Sequence, residues 1–171
     1  DWLEAACADF AADYEGKLAA LDADGMLKAV RRYEEIDVIG GRIMSFAYLR
    51  YAQISTDPER AKFLSDCQDR ITNFTTPLVF FTLELNRIDD TRLEAMLDEN
   101  AELGRYRAVF DRIRAMKPHQ LSDELERFLH DTSVVGASAW NKLFDETIAG
   151  LSFEVGGETL GIKATLNLLT E

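Results

Sequence analysis

The sequence predicts a mainly α-helical fold with a single late β-hairpin, and three observations carry that reading. Apolar residues recur at steps of three and four from Leu3 to about Ala149, and the period changes to two at Leu151. Across 171 residues, only ten glycines and three prolines interrupt the pattern. Steps of three and four place side chains on one face of a helix, whereas strict alternation belongs to a half-buried strand. With 47% hydrophobic residues, the chain can fill a core of ordinary size for one domain.

The elements follow in order. Leu3, Cys7, Phe10, Tyr14, Leu18 and Leu21 mark one buried helix face, which Asp22-Ala-Asp24-Gly25 ends while offering a new N-cap. A second helix runs from about Met26, with Leu27, Val30, Ile36, Ile43, Phe46, Leu49 and Ile54 among its apolar positions. Gly40-Gly41 inside it costs about 2 kcal/mol relative to two alanines, which points to close helix packing or a kink. A phosphate loop would want more glycines and a preceding strand. Asp57-Pro58 starts the next helix, with aspartate as cap and proline at its tolerated first position. From there Leu64, Cys67, Ile71, Phe74, Leu78, Phe81, Leu85 and Ile88 form a heptad-like seam. The seam keeps its phase across Pro77, so it reads as one kinked helix in the core of one domain, with Thr75 and Thr76 able to cap the restart. A dimer seam is the alternative.

A shorter helix is expected from Asp90 to Leu97 and another from about Glu102 to Met116, ended by Lys117-Pro118-His119-Gln120. Ser122 then caps a helix whose first turn carries Asp123, Glu124 and Glu126, and Phe128 and Leu129 continue its apolar face. Gly136 separates it from Ala137–Ala149, where Trp140, Leu143, Phe144 and Ile148 line one side. Gly156-Gly157 turns the hairpin at 151–162, pairing Phe153 with Leu160 and Leu151 with Ile162. A lone hairpin is marginal in water, so its apolar face must rest on helices. Residues 163–171 begin a further helix. The whole of 1–171 reads as a single helical domain. Its uncapped ends, with no methionine before Asp1, give the expectation of a piece of something longer.

Charge narrows the function classes. Nineteen basic against 31 acidic residues leave −12, a balance that repels phosphate backbones and anionic membranes, so neither nucleic acid nor membrane is an expected partner. There is no apolar run of membrane-spanning length and no signal-peptide pattern. Two distant cysteines, Cys7 and Cys67, fit a reduced, cytoplasmic setting.

Chemistry-bearing motifs are sparse. The histidines are His119, in a loop after proline, and His130, near a helix C-terminus where a cation is favoured; neither opens HExxH. Carboxylate pairs such as Glu34-Glu35, Asp89-Asp90 and Glu124 with Glu126 fit a solvated face, since acid–base work needs environments that separate the two pKa values. Phe46, Tyr48 and Tyr51 near Arg50 read first as core and otherwise as a peptide-binding strip. No GxSxG elbow, P-loop or dinucleotide fingerprint is present. No residue of the chain is assigned a catalytic, cofactor-binding or metal-ligating role.

Several blocks in order nevertheless carry a family resemblance. Met44-Ser-Phe-Ala-Tyr-Leu-Arg-Tyr-Ala-Gln53, Thr56-Asp-Pro-Glu-Arg-Ala-Lys-Phe-Leu64, Pro77-Leu-Val-Phe-Phe81 and Glu84-Leu-Asn-Arg-Ile-Asp89 resemble the amino-terminal region of oligoendopeptidase F. Pro118-His-Gln-Leu-Ser-Asp-Glu-Leu-Glu-Arg-Phe-Leu129, Trp140-Asn-Lys-Leu-Phe-Asp-Glu146 and the Phe153-Glu-Val-Gly-Gly157 hairpin follow in family order. The resemblance implies a cytoplasmic zinc metallopeptidase that cuts short peptides inside a mostly helical, enclosed channel. It also implies an HExxH zinc site in a later region, so the zinc belongs to the parent enzyme and no cofactor to this chain. On that expectation the chain walls the channel, is inactive by itself, and has oligopeptides and the carboxyl-terminal catalytic domain as partners. The alternative is a standalone helical interaction module without enzymatic activity, dimeric through the 64–88 seam.

Overall fold

The computed structural model describes residues 2–169, and these are mainly helical with one late hairpin, as the periodicity predicts. Helices α1 (Trp2–Tyr14), α2 (Ala23–Gln53), α3 (Pro58–Thr75), α4 (Phe80–Arg87) and α5 (Asp90–Glu99) come first. They are followed by α6 (Ala101–Gly104), α7 (Arg107–Ala115), α8 (Asp123–Asp131) and α9 (Ala137–Gly150). Strands β1 (Ser152–Val155) and β2 (Glu158–Gly161) then lead into α10 (Ile162–Asn167). The chain divides into two compact units: residues up to Arg42 with Arg70–Asp131, and Ile43–Asp69 with residues from Thr132 onward.

The first unit is organised around Phe10, which is fully buried. Its ring meets Tyr14, Tyr33, Phe80 and Phe81 at centroid separations of 4.8, 5.9, 5.9 and 5.4 Å, within the range of favourable aromatic pairing. Cys7, Leu18, Met26, Leu85, Ile88, Leu93 and Leu103 are fully enclosed as well. The first predicted helix is shorter than its apolar spacing suggests. It ends at Tyr14, and Gly16 takes φ +76° before a 3-10 turn at Leu18–Ala20. The reason is distant in sequence: the Glu84 carboxylate on α4 accepts the Gly16 N–H at 2.6 Å and the Leu18 N–H at 3.3 Å, fixing the turn. Within the expected capping stretch it is Asp22 that caps α2, accepting the Gly25 N–H at 2.7 Å, and the helix starts at Ala23, earlier than the expected Met26.

At Pro77 the expected kinked helix becomes two helices joined by a 3-10 turn, Thr76–Val79. Thr75 and Thr76 do not cap the restart. Their hydroxyls donate back to the carbonyls of Ile71 and Thr72, each at 2.8 Å, and the Thr72 carbonyl is one that the end of α3 leaves open. The end of α4 is closed by Arg114 of α7, whose guanidinium donates to the carbonyls of Leu85 and Ile88 at 2.7 Å each. The predicted 102–116 helix is divided into α6 and α7. Gly104 lies so near the Leu97 carbonyl that a Cβ would stand 2.8 Å from its oxygen.

The second unit has a small core of Ala47, Tyr51 and Leu64, with Met44, Ala61, Phe63 and Cys67 packed beside it. Asp57 caps α3 as predicted, accepting the Glu59 N–H at 2.9 Å. Arg60 ties the two helices by donating to the Arg50 carbonyl and to Gln53 Oε1, both at 2.8 Å. The seam expected in one core is therefore divided. Leu64 and Cys67 pack in this unit, while Ile71, Phe74, Leu78, Phe81, Leu85 and Ile88 pack in the first. A helix of 18 residues is about 27 Å long, so its two ends serve different neighbours. Because Leu78, Phe81, Leu85 and Ile88 are buried within the chain, the seam is not open to a second copy.

The hairpin has the predicted Phe153–Leu160 register, and Gly156 and Gly157 supply positive φ of 62° and 90°. Leu151 and Ile162 lie outside the ladder, since Ile162 already begins α10. That helix packs on both strands, yet Phe153 and Val155 stay more than a third exposed. Of the predicted 163–171 helix, α10 accounts for the part up to Asn167, and Thr170 and Glu171 lie outside the described residues. Gly40-Gly41 shows no close packing: a Cβ at either position meets nothing within 4 Å. None of the described helices is long and apolar enough to cross a membrane.

Candidate functional site

The two histidines lie in different local surroundings. His130, in the last turn of α8, places Nε2 3.1 Å from the Thr75 hydroxyl, and neighbouring Asp131 accepts a hydrogen bond from Thr76. His119 sits in a 3-10 turn at Lys117–His119 and lines a cavity of about 280 Å³. Among the described residues no three His, Cys, Asp or Glu side chains are grouped to hold a metal. These residues do not fit a catalytic zinc, which takes three protein ligands around an open position.

Of the carboxylate pairs, Asp89, Asp90, Glu34 and Glu126 have specific structural partners. Asp89 caps α5, and the Thr91 hydroxyl, with the backbone N–H groups of Arg92 and Thr91, holds its carboxyl below the usual range. Asp90 is held low by the Arg114 guanidinium, with Lys117 adding charge. Asp123 is held low by Arg87. Glu34 accepts the Tyr106 hydroxyl at 2.7 Å, which pushes that phenol up. Glu126 closes its own helix start by accepting the Leu121 N–H at 2.9 Å, while the Ser122 hydroxyl accepts the Leu125 N–H at 3.4 Å. Each shifted carboxyl is thus held as its anion, the opposite of what a general acid needs.

The aromatic positions near Arg50 do not form one strip. Two helix residues two apart face away from each other. Accordingly Phe46 meets Phe63 edge-on at 6.2 Å with Arg50 over the Phe63 ring at 5.0 Å, while Tyr48 leans on Tyr51 at 6.4 Å. Tyr51 is core and Phe46 and Tyr48 are exposed, so the core reading holds for Tyr51 alone. Burial, followed by the charges of Glu146 and Asp145, pushes the Tyr51 phenol up, and its hydroxyl has no hydrogen-bond partner.

Sequence reasoning missed two features. The first is Asn86, 5% exposed in the 280 Å³ cavity with Thr82, Leu83, Ile113, Gln120 and Glu126, whose Oδ1 makes no hydrogen bond. Its only signal was a polar residue one turn beyond Thr82 inside an apolar run. The second is the orientation of α8. Asp123, Arg127, His130 and Asp131 face the first unit and bond to Arg87, Glu15, Thr75 and Thr76, so Leu125, Phe128 and Leu129 face outward.

With this geometry in hand, comparison with known proteins is informative. Residues 84–153 match the family model of Oligopeptidase F. The chain is 27% identical over 132 residues to Oligopeptidase PepF of Bacillus subtilis (strain 168), a match covering 75% of this chain and 19% of that protein. Its fold is similar to the crystal structure of oligoendopeptidase-F from Enterococcus faecium, with a TM-score of 0.78 and 18% identity, over 93% of this chain and 31% of that one. The resemblance to oligoendopeptidase F is borne out, and the chain spans less than a third of the length of either relative.

Proposed function

We propose that this chain is the amino-terminal part of an oligoendopeptidase F-like zinc metallopeptidase that hydrolyses short peptides, and that it forms a wall of the substrate channel. The observation that carries the proposal is the shared fold over 93% of this chain, which accounts for only 31% of the solved oligoendopeptidase-F. Among the described residues no three side chains are grouped to hold a metal, which supports assigning the metal of the resemblance to polypeptide outside this chain. The contribution of these helices is then steric. A narrow opening admits extended peptides and excludes compact domains, which are about 25 Å or more across. A net charge of −12 adds a long-range preference for basic peptides. The cytoplasmic assignment rests on the resemblance and on two free cysteines, Cys7 and Cys67.

A second reading, a standalone interaction module, draws support from the exposed apolar side chains of α8 and α9. The gene past Glu171 separates the two readings. An open frame carrying HExxH is the expected result, and termination at Glu171 selects the module. Metal analysis and a fluorogenic-peptide assay on the 171-residue chain test the placement of the zinc, since chelator-sensitive turnover by that chain alone would overturn it.

A further inference from the structure

We infer that the outward face of α8, formed by Leu125, Phe128 and Leu129 with Leu121 just before the helix, is the seat for an apolar helical face belonging to the remainder of the longer polypeptide. The inference rests on the reading that this chain is one part of such a peptidase. Residues 123, 127, 130 and 131 recur at helical spacing on one side of α8, and each makes a polar contact inside the first unit. The Arg87 Nη1 to Asp123 Oδ2 distance is 3.1 Å, and Arg127 pairs with Glu15. The helix also packs along the 3-10 turn at Thr76–Val79. The side that a surface helix ordinarily turns to the core is therefore the side turned away. Leu121, Leu125, Phe128 and Leu129 are 47, 50, 59 and 51% exposed, four large apolar residues at steps of four, three and one. Large apolar side chains gathered on the exposed side of one helix point to an interaction site.

The occupant follows from size and charge. The solved oligoendopeptidase-F has more than two thirds of its length outside the fold shared with this chain, enough polypeptide to cover the face. Covalent linkage raises its effective concentration, so a modest apolar contact suffices. A second copy is disfavoured because each copy carries −12. The exposed Glu124 in the first turn favours a covering helix with lysine or arginine beside its apolar stripe.

Thiol labelling tests the seat in the full polypeptide that the gene encodes. Leu125→Cys and Leu129→Cys are each placed in a Cys67→Ser background, with Glu99→Cys as the exposed reference on α5. Buried Cys7 stays slow while the fold is intact and exposes any variant that has unfolded. The expected result is maleimide labelling at least tenfold slower at Leu125→Cys and Leu129→Cys than at Glu99→Cys. Equal rates in a polypeptide that does carry a downstream HExxH overturn the seat and leave the peptidase reading standing. A gene that ends at Glu171 overturns both. Slow labelling that becomes fast on dilution assigns the face to a second copy and overturns the occupant named here.

Discussion

The two units are built from the same kind of helix and differ in what those helices bury. Among the described residues, the first unit gathers twenty buried apolar residues into one cluster, from Leu3 to Phe110. The second gathers three, Ala47, Tyr51 and Leu64. Yet α9 in the second unit carries Trp140 and Phe144 at helical spacing, 71 and 64% exposed. Periodicity thus identifies a helix and its apolar face, and burial depends on whether a partner is there to receive it. Full burial of each such side chain contributes about 1.5–3 kcal/mol, so the second unit has stabilisation still to gain from a covering surface.

The sharpest test of this contrast substitutes an aromatic in each unit. Phe81→Ala removes a buried ring that stacks on Tyr33 at 4.4 Å and meets Phe10 edge-on, and it should cost about 3–5 kcal/mol. Phe144→Ala should stay within about 0.5 kcal/mol. Denaturant melts of both variants decide the matter, and equal losses would erase the distinction between the units.

Next in size is Arg114→Ala. This guanidinium closes α4 through two backbone carbonyls and pairs with Asp90, and its side chain is only 14% exposed. Its loss removes the donor from the Ile88 carbonyl and leaves the Leu85 carbonyl with the Ile88 N–H at 3.3 Å, at a cost of about 2–3 kcal/mol. A drop below about 0.5 kcal/mol in the same melts would mean that water replaces it freely.

Glycines sharpen the contrast with opposite signs. Gly104→Ala drives a Cβ to 2.8 Å from the Leu97 carbonyl oxygen, a backbone atom that cannot swing aside, and should destabilise by about 1–3 kcal/mol. Gly40→Ala meets nothing within 4 Å and should stabilise by about 0.5–1 kcal/mol through helix propensity. Thermal melts that moved in the same direction for both would contradict the geometry.

These cases also mark how far the sequence could be read. The Asp22 and Asp57 caps, the Phe153–Leu160 register and the helix order were legible because each depends on neighbours within a few residues. The Gly16 turn was not, because it is held by Glu84, 68 residues away. Neither was the direction of α8. Both of its faces are chemically suited to an interior, one through Leu125 and Leu129 and the other through Asp123, Arg127, His130 and Asp131. Only the positions of Arg87, Glu15, Thr75 and Thr76 decide between them. The seam from Leu64 to Ile88 showed its period but not its division between two cores. Of a catalytic site nothing was legible; Asp89 and Glu126 serve helix starts, Asp90 and Asp123 serve ion pairs, and His130 bonds to Thr75. Asn86 left almost no signal, because one asparagine in an apolar run reads the same whether its amide oxygen is bonded or not.

Acid provides the smallest effect and tests the polar attachment of α8. Asp89, Asp90 and Asp123 have carboxyl pKa values below the ordinary range, and all three lie in the first unit. For a group whose folded value is depressed, the stabilisation is present above the unfolded value, about 3.9 for aspartate, and is lost as pH falls through the folded value. The first unit should therefore hold its melting temperature from neutral pH to about pH 4 with respect to these groups, then lose it below. Asp123→Asn isolates one contribution. The Asp123 and Arg87 side chains are 44 and 51% exposed, so screening limits the pair to about 0.5 kcal/mol at pH 7. The difference between wild type and Asp123→Asn should shrink as pH falls below the ordinary aspartate value and through the depressed folded value, where the wild-type carboxyl itself takes up a proton. Because this pair holds the start of α8, the same substitution should speed amide exchange across residues 123–131 at pH 7. A melting difference that persisted unchanged at low pH would assign the loss to altered packing and remove the ion pair from the account of how α8 is held polar side in.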